Sequence, residues 1–125
     1  MNKTSIITIV LVILAVIGLI YYANKKDNAP GKYDSFATCI KDSGAQFYGA
    51  FWCPHCQDQK KMFGSSAKLL PYIECSTPNG QAQLQTCIDE KIQGYPTWRF
   101  TDQTEVARVL SLEELSQKTS CSLPE

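Results

Sequence analysis

The run Ala45-Gln46-Phe47-Tyr48-Gly49-Ala50-Phe51-Trp52-Cys53-Pro54-His55-Cys56 decides how this chain folds. Ala45 to Trp52 is nearly all apolar or aromatic, as expected of a strand covered on both faces. From Cys53 to about Phe63 the polar residues Gln57, Asp58, Gln59, Lys60 and Lys61 suit a helix, and Gly64 suits its stop. A strand that feeds straight into a helix places the junction beyond the carboxyl end of the sheet, where α/β sheets carry their reactive groups. Cys53 stands at that junction.

Working outward, Phe36, Cys39 and Ile40 fall on one face of an upstream helix that Asp34 or Ser35 is expected to cap and Gly44 to end. Downstream, Pro71 to Cys75 reads as a short strand, followed by the turn-rich Ser76-Thr77-Pro78-Asn79-Gly80. Leu84, Cys87 and Ile88 then recur at helical spacing up to about Lys91. Pro96 to Phe100 and Glu105 to Leu110 read as a hairpin around Thr101-Asp102-Gln103-Thr104, and Ser111 with Glu114 as the capping box of a last helix. Strands alternating with helices predict an α/β sandwich with a partly parallel sheet. No internal repeat or low-complexity tract interrupts the pattern.

The chain has 125 residues, and the part beyond its apolar N-terminus is the size of one small domain. Twelve basic residues balance twelve acidic ones, so no field of one sign draws in nucleic acid. Thr4 to Asn24 is a stretch of 21 uncharged residues between Lys3 and Lys25. As a helix it would extend about 31 Å, the thickness of a bilayer's hydrocarbon. It is longer than the apolar part of a signal peptide and lacks a small-x-small cleavage site, because Tyr21 stands two before Ala23. We therefore expect a transmembrane signal-anchor over residues 1–24, a linker over 25–32 containing Pro30-Gly31, and one domain over 33–125. Charge does not orient the anchor, since Lys3 and the α-amine nearly match Lys25 and Lys26 offset by Asp27. The six cysteines orient it instead. Such a number suits an oxidising compartment, so the domain is expected on the periplasmic or extracellular face.

The chemistry rests on Cys53-Pro54-His55-Cys56. A thiolate is the nucleophile of disulfide exchange, and the unpaired N–H groups and positive dipole end of a helix N-terminus stabilise it. Cys56, three residues on, returns on the first turn to attack a mixed disulfide intramolecularly. Pro54 fits an early helical position, where its missing N–H costs little, and His55 adds a charge or a donor near the sulfur, so both modulate the nucleophile. A zinc site is the main rival for a CxxC, but Cys75 and Cys87 are not a second CxxC and no His pair exists. Haem attachment needs His after the second cysteine, where Gln57 stands. No metal and no cofactor is expected. A purely structural Cys53–Cys56 bridge would close too short a loop to constrain the unfolded chain much. Cys75 with Cys87, and Cys39 with Cys121, are candidate structural disulfides, the first with a rival reading as a second redox pair. The four cysteines still permit three pairings. Trp98 reads as core, and Trp52 as the rim of the site.

Three segments in order, Phe47 to Gln57, Leu70-Pro71-Tyr72-Ile73-Glu74-Cys75 and Gly94-Tyr95-Pro96-Thr97-Trp98, closely resemble the thioredoxin-like domain fused to bacterial vitamin K epoxide reductase homologues. The resemblance covers about Asp34 to Cys121. It implies a thioredoxin fold, a three-layer α/β/α sandwich preceded here by one transmembrane helix. It implies exchange of disulfides with the thiols and disulfides of secreted proteins, and reoxidation by a quinone-linked membrane partner such as a vitamin K epoxide reductase homologue. It also implies that Pro96 is cis, faces the cysteine pair and helps dock an extended substrate segment through the backbone of Tyr95. Trp52, at the rim, is a further docking candidate. Two departures stand out. The chain carries a single anchor and no catalytic four-helix bundle, and Phe47 occupies the position where thioredoxins commonly bury a carboxylate. The residues leave the direction open. An oxidase or isomerase of protein thiols leads, against a reductase of extracytoplasmic disulfides or a non-catalytic tethered binding module.

Overall fold

The computed structural model describes residues 2–27 and 30–125. They form two compact units, Met1–Pro30 and Gly31–Glu125. The first is one helix, α1 (Lys3–Asp27). Its Lys3–Lys25 stretch is long and apolar enough to cross a membrane by length and composition. α1 runs on through Lys25 to Asp27, into the stretch expected as linker, and residues 28 and 29 of that stretch lie outside the described residues.

The second unit is mixed α/β with a thioredoxin-like arrangement. In chain order it contains α2 (Asp34–Asp42), β1 (Gln46–Gly49), α3 (Pro54–Phe63), a 3-10 segment (Gly64–Leu69), β2 (Tyr72–Glu74), α4 (Gln85–Asp89), β3 (Thr97–Arg99), β4 (Glu105–Val106) and α5 (Leu112–Thr119). The sheet order is β2-β1-β3-β4. β1 runs parallel to β2 with Phe47 opposite Tyr72, and antiparallel to β3 with Phe47 opposite Trp98. β3 and β4 are antiparallel.

Successive strand residues point to opposite faces, and β1 shows what that does here. Phe47 packs with Phe36, Ala37 and Ile40 of α2, with Cys56 and Phe63 of α3, and with Trp98 and Leu115. Tyr48, one residue on, packs instead with Cys75, Cys87 and Ile92. The sheet is thus covered on both sides, and its most central strand leads to the cysteines. Phe47 stacks on Trp98 at 4.7 Å between ring centroids, and Trp98 is fully buried.

Several boundaries differ from expectation, each for a local reason. β1 ends at Gly49, because Ala50 to Trp52 turn away: the Cys53 N–H donates to the Ala50 carbonyl at 3.0 Å, closing the turn. Neither Asp34 nor Ser35 is the N-cap of α2. Tyr33 is, without a side-chain cap, and Asp34 lies in the first turn, where its Oδ2 accepts from the Gly31 N–H. α4 stops at Asp89, and Lys91 then takes a left-handed φ of 56°. β4 has only two residues, because farther along the backbone of Leu110 is taken by a side chain: Gln59 Nε2 donates to its carbonyl and Gln59 Oε1 accepts from its N–H. The Ser111–Glu114 capping box is present in both halves.

Candidate active site

Cys53 is the N-cap of α3, with extended backbone angles, and Pro54 is the first helical residue. Proline suits that place because its φ is already helical and the position needs no N–H. The Cys56 N–H donates to Cys53 Sγ at 3.3 Å, so one of the helix's unpaired amides is aimed at that sulfur. The Cys53 residue is 4% exposed and Cys56 is fully buried, and both are free thiols. Only a sliver of Cys53 faces outward. Burial first, then the hydrogen bond with Cys53, pushes the Cys56 thiol up to about 12, so it stays protonated at neutral pH.

The turn before the helix is clamped from two sides. Gln57 Nε2 donates to the Phe51 carbonyl at 2.7 Å, and the Phe51 N–H donates to Glu74 Oε1 at 3.2 Å. Trp52 Nε1 donates to Ser76 Oγ at 2.8 Å. These bonds leave Phe51 and Trp52 about half exposed beside the cysteines, an apolar shelf in a domain whose other large aromatics are mostly inside.

The Tyr95–Pro96 peptide bond is cis. Tyr95 meets Trp52 edge-on, with centroids 6.1 Å apart. A groove of about 490 Å³ lies on one side of this pair, lined by Trp52, Ser76, Gln83, Ile92 and Tyr95. A second groove, of about 380 Å³, is lined by His55, Tyr95, Pro96 and Arg108. Trp52, His55, Tyr95 and Pro96 therefore come together around the two grooves.

The other four cysteines are bonded in pairs. Cys39 joins Cys121 across 82 residues, tying α2 to the end of the chain, and Cys75 joins Cys87 across 12. Cys75 and Cys87 are fully buried.

Four residues near the cysteines were not legible as site residues. Gly49 lies so close to the site that a Cβ there would stand 2.7 Å from Tyr72 Cε2 and 3.0 Å from Cys56 Sγ. The Tyr72 hydroxyl donates to Glu74 Oε2 at 2.8 Å, and Lys60 Nζ lies 3.3 Å from the centroid of the Tyr72 ring. A glycine inside a strand is the one sequence signal that marks close approach at this spot.

No family model matches this chain. It is 38% identical over 113 residues to Thiol-disulfide oxidoreductase LTO1 of Arabidopsis thaliana, an alignment covering 86% of the chain. The chain spans about 30% of the length of that curated relative. The likeness is to one segment of a longer protein.

Proposed function

We propose that this chain is a membrane-tethered thiol–disulfide oxidoreductase with Cys53 as nucleophile and Cys56 as resolving cysteine. The observation that carries the reading is the free Cys53 sulfur at the N-cap of α3, met by the Cys56 N–H, with that cysteine three residues behind it. The likeness to a protein named as a thiol–disulfide oxidoreductase supports it.

In the oxidising direction a substrate thiolate attacks Cys53 Sγ of the closed pair, and the electron pair of the broken S–S bond goes to Cys56, which takes a proton. A second substrate thiolate then attacks the substrate's sulfur in the mixed disulfide and expels Cys53 as thiolate. The substrate gains a disulfide, and the cysteine pair gains two electrons. Those electrons pass to a quinone-linked membrane partner such as a vitamin K epoxide reductase homologue. Pro54 and His55 tune the nucleophile. Trp52, Tyr95 and Pro96 dock the substrate, and the two grooves flanking them favour an extended segment. The disulfides Cys39–Cys121 and Cys75–Cys87 are structural. α1 holds the domain, residues 33–125, on the extracytoplasmic face, supported by the length and apolarity of that helix and by the two paired disulfides.

A Cys56→Ala variant tests the class of function. An exchange enzyme accumulates protein mixed disulfides through Cys53, whereas a binding module traps none. The potential of the Cys53–Cys56 pair tests direction: about −120 mV marks an oxidant, and about −270 mV a reductase.

A further inference from the structure

Thioredoxins commonly bury an acid under the cysteine pair, and Phe47 fills that place here, stacked on Trp98. Among the described residues no Asp, Glu, Lys, Arg or His is buried. Yet Cys56 is fully enclosed and must carry a negative charge whenever its sulfur attacks Cys53 or is expelled from it. Some group has to compensate for that charge.

The groups around Cys56 are Cys53 at the helix N-cap, the Ala50 backbone just before it, Lys60 on α3, Tyr72 on β2 and Tyr95 in the loop before β3. Glu74 of β2 acts on Lys60, Tyr72 and Tyr95. Of these only Lys60 carries positive charge. It stands four residues after Cys56 on α3, so the two side chains share a helix face. Its ammonium rests on the Tyr72 ring, 3.3 Å from the centroid, and Lys60 forms no ion pair among the described residues. Tyr72 is fixed in turn by its hydrogen bond to Glu74. Gly49 leaves the space between: Tyr72 Oη and Cys56 Sγ lie 3.4 Å and 3.0 Å from the point its missing Cβ would occupy.

We propose that Lys60, seated on the ring of Tyr72, is the cation that stabilises the Cys56 thiolate, with Tyr72, Glu74 and Gly49 as positioning residues. This rests on the exchange reading above. When the pair closes, Cys56 S–H gives its proton to water, and the thiolate attacks Cys53 Sγ in the mixed disulfide. The Cys53–Cys56 bond forms, the bond from Cys53 to the substrate sulfur breaks, and the electron pair leaves on the substrate thiolate. In the reverse step Lys60 faces the charge arriving on Cys56. Burial first, and then the hydrogen bond with Cys53, raise the Cys56 thiol's pKa, and the backbone hydrogen bond at Ala50 and, more weakly, the Lys60 charge act to lower it.

The reduced chain, residues 1–125, in detergent micelles, mixed with an aromatic disulfide that releases a coloured thiol, reports both steps in one trace. The first release is attack by Cys53, and the second is resolution by Cys56. An opposite charge at a half-exposed site lowers a thiol pKa by about one unit. Lys60→Met is therefore expected to slow the second phase about tenfold at neutral pH, to leave the first phase nearly unchanged, and to shift the pH profile of the second phase to higher pH. Lys60→Arg keeps most of the rate. Tyr72→Phe keeps the ring that seats Lys60 but loses the hydrogen bond to Glu74, so it is expected to slow the second phase by less than Lys60→Met does. Tyr72→Leu, which removes the ring, follows Lys60→Met. Circular dichroism and melting confirm that each variant is folded. A Lys60→Met second phase with an unchanged pH profile overturns this inference and leaves the exchange reading intact. A wild-type chain that shows no first phase overturns both.

Discussion

The indole of Trp98 donates a hydrogen bond to the side-chain oxygen of Gln59 across the core, Nε1 to Oε1 at 3.1 Å. The same amide accepts from the Leu110 N–H at 2.8 Å and donates to the Leu110 carbonyl at 3.0 Å, and Gln59 is fully buried. One side chain on the cysteine-bearing helix thus satisfies three groups from two other segments. Gln59→Leu keeps the volume and strands all three. The expected loss is about 2–4 kcal/mol. In a domain of this size that lowers Tm by roughly 4–8 °C per kcal/mol, which calorimetry resolves. A loss below about 0.5 kcal/mol would mean that water replaces the amide at no cost.

The two disulfides should differ in weight. By the chain-entropy relation, a loop of 82 residues contributes about 4.5 kcal/mol and one of 12 about 3 kcal/mol. Replacing Cys39 and Cys121 together by Ala is expected to destabilise more than replacing Cys75 and Cys87. Denaturant titration of the two double variants gives the order, and the reverse order would show that local packing outweighs loop closure.

Gly49→Ala places a methyl 2.7 Å from a carbon of the Tyr72 ring, so ring or strand has to shift. Overpacking of this kind costs about 1–3 kcal/mol. Because the same methyl stands 3.0 Å from Cys56 Sγ, the variant should also change how fast Cys56 alkylates in the reduced protein. An alanine tolerated in both respects would mean that β2 yields easily.

A pH dependence follows from Cys56. Its thiol is raised in the fold from 9.0 to about 12, chiefly by burial, so the fold favours the protonated form. That contribution is complete below pH 9.0 and is lost as pH climbs toward about 12. The reduced protein should therefore lose stability across that window more steeply than the oxidised one, whose Cys56 does not titrate. Parallel denaturant curves for the two redox forms decide the point, and identical slopes would remove it.

Much of this was legible in the chain. The unbroken apolar run ahead of Cys53 announces a strand covered on both faces, and Phe47 and Tyr48 do point into different clusters. Ser111 and Glu114 announce their cap three residues apart, a purely local pattern. Other features depend on what the fold brings together. Gln59 reads as an outward polar residue of a helix, yet it faces Trp98 and Leu110, some 39 and 51 residues away. That amide also explains why the second hairpin strand is so short. Lys60, Tyr72 and Glu74 are ordinary residues in sequence, and only the parallel pairing of β1 with β2 carries the latter two to the cysteines. Cysteine spacing alone permitted three pairings, and the placement of the helices selects among them.

The phenylalanine at position 47 has one more consequence. An acid sealed beneath the sheet would act on Cys56 beyond the reach of dissolved ions, whereas Lys60 and Glu74 are both partly open to solvent. Mobile counterions at physiological strength damp fields over about 8 Å, and they do so most for groups that water can touch. The electrostatic setting of this cysteine is therefore coupled to the ionic strength of its surroundings, as a sealed carboxylate would not be.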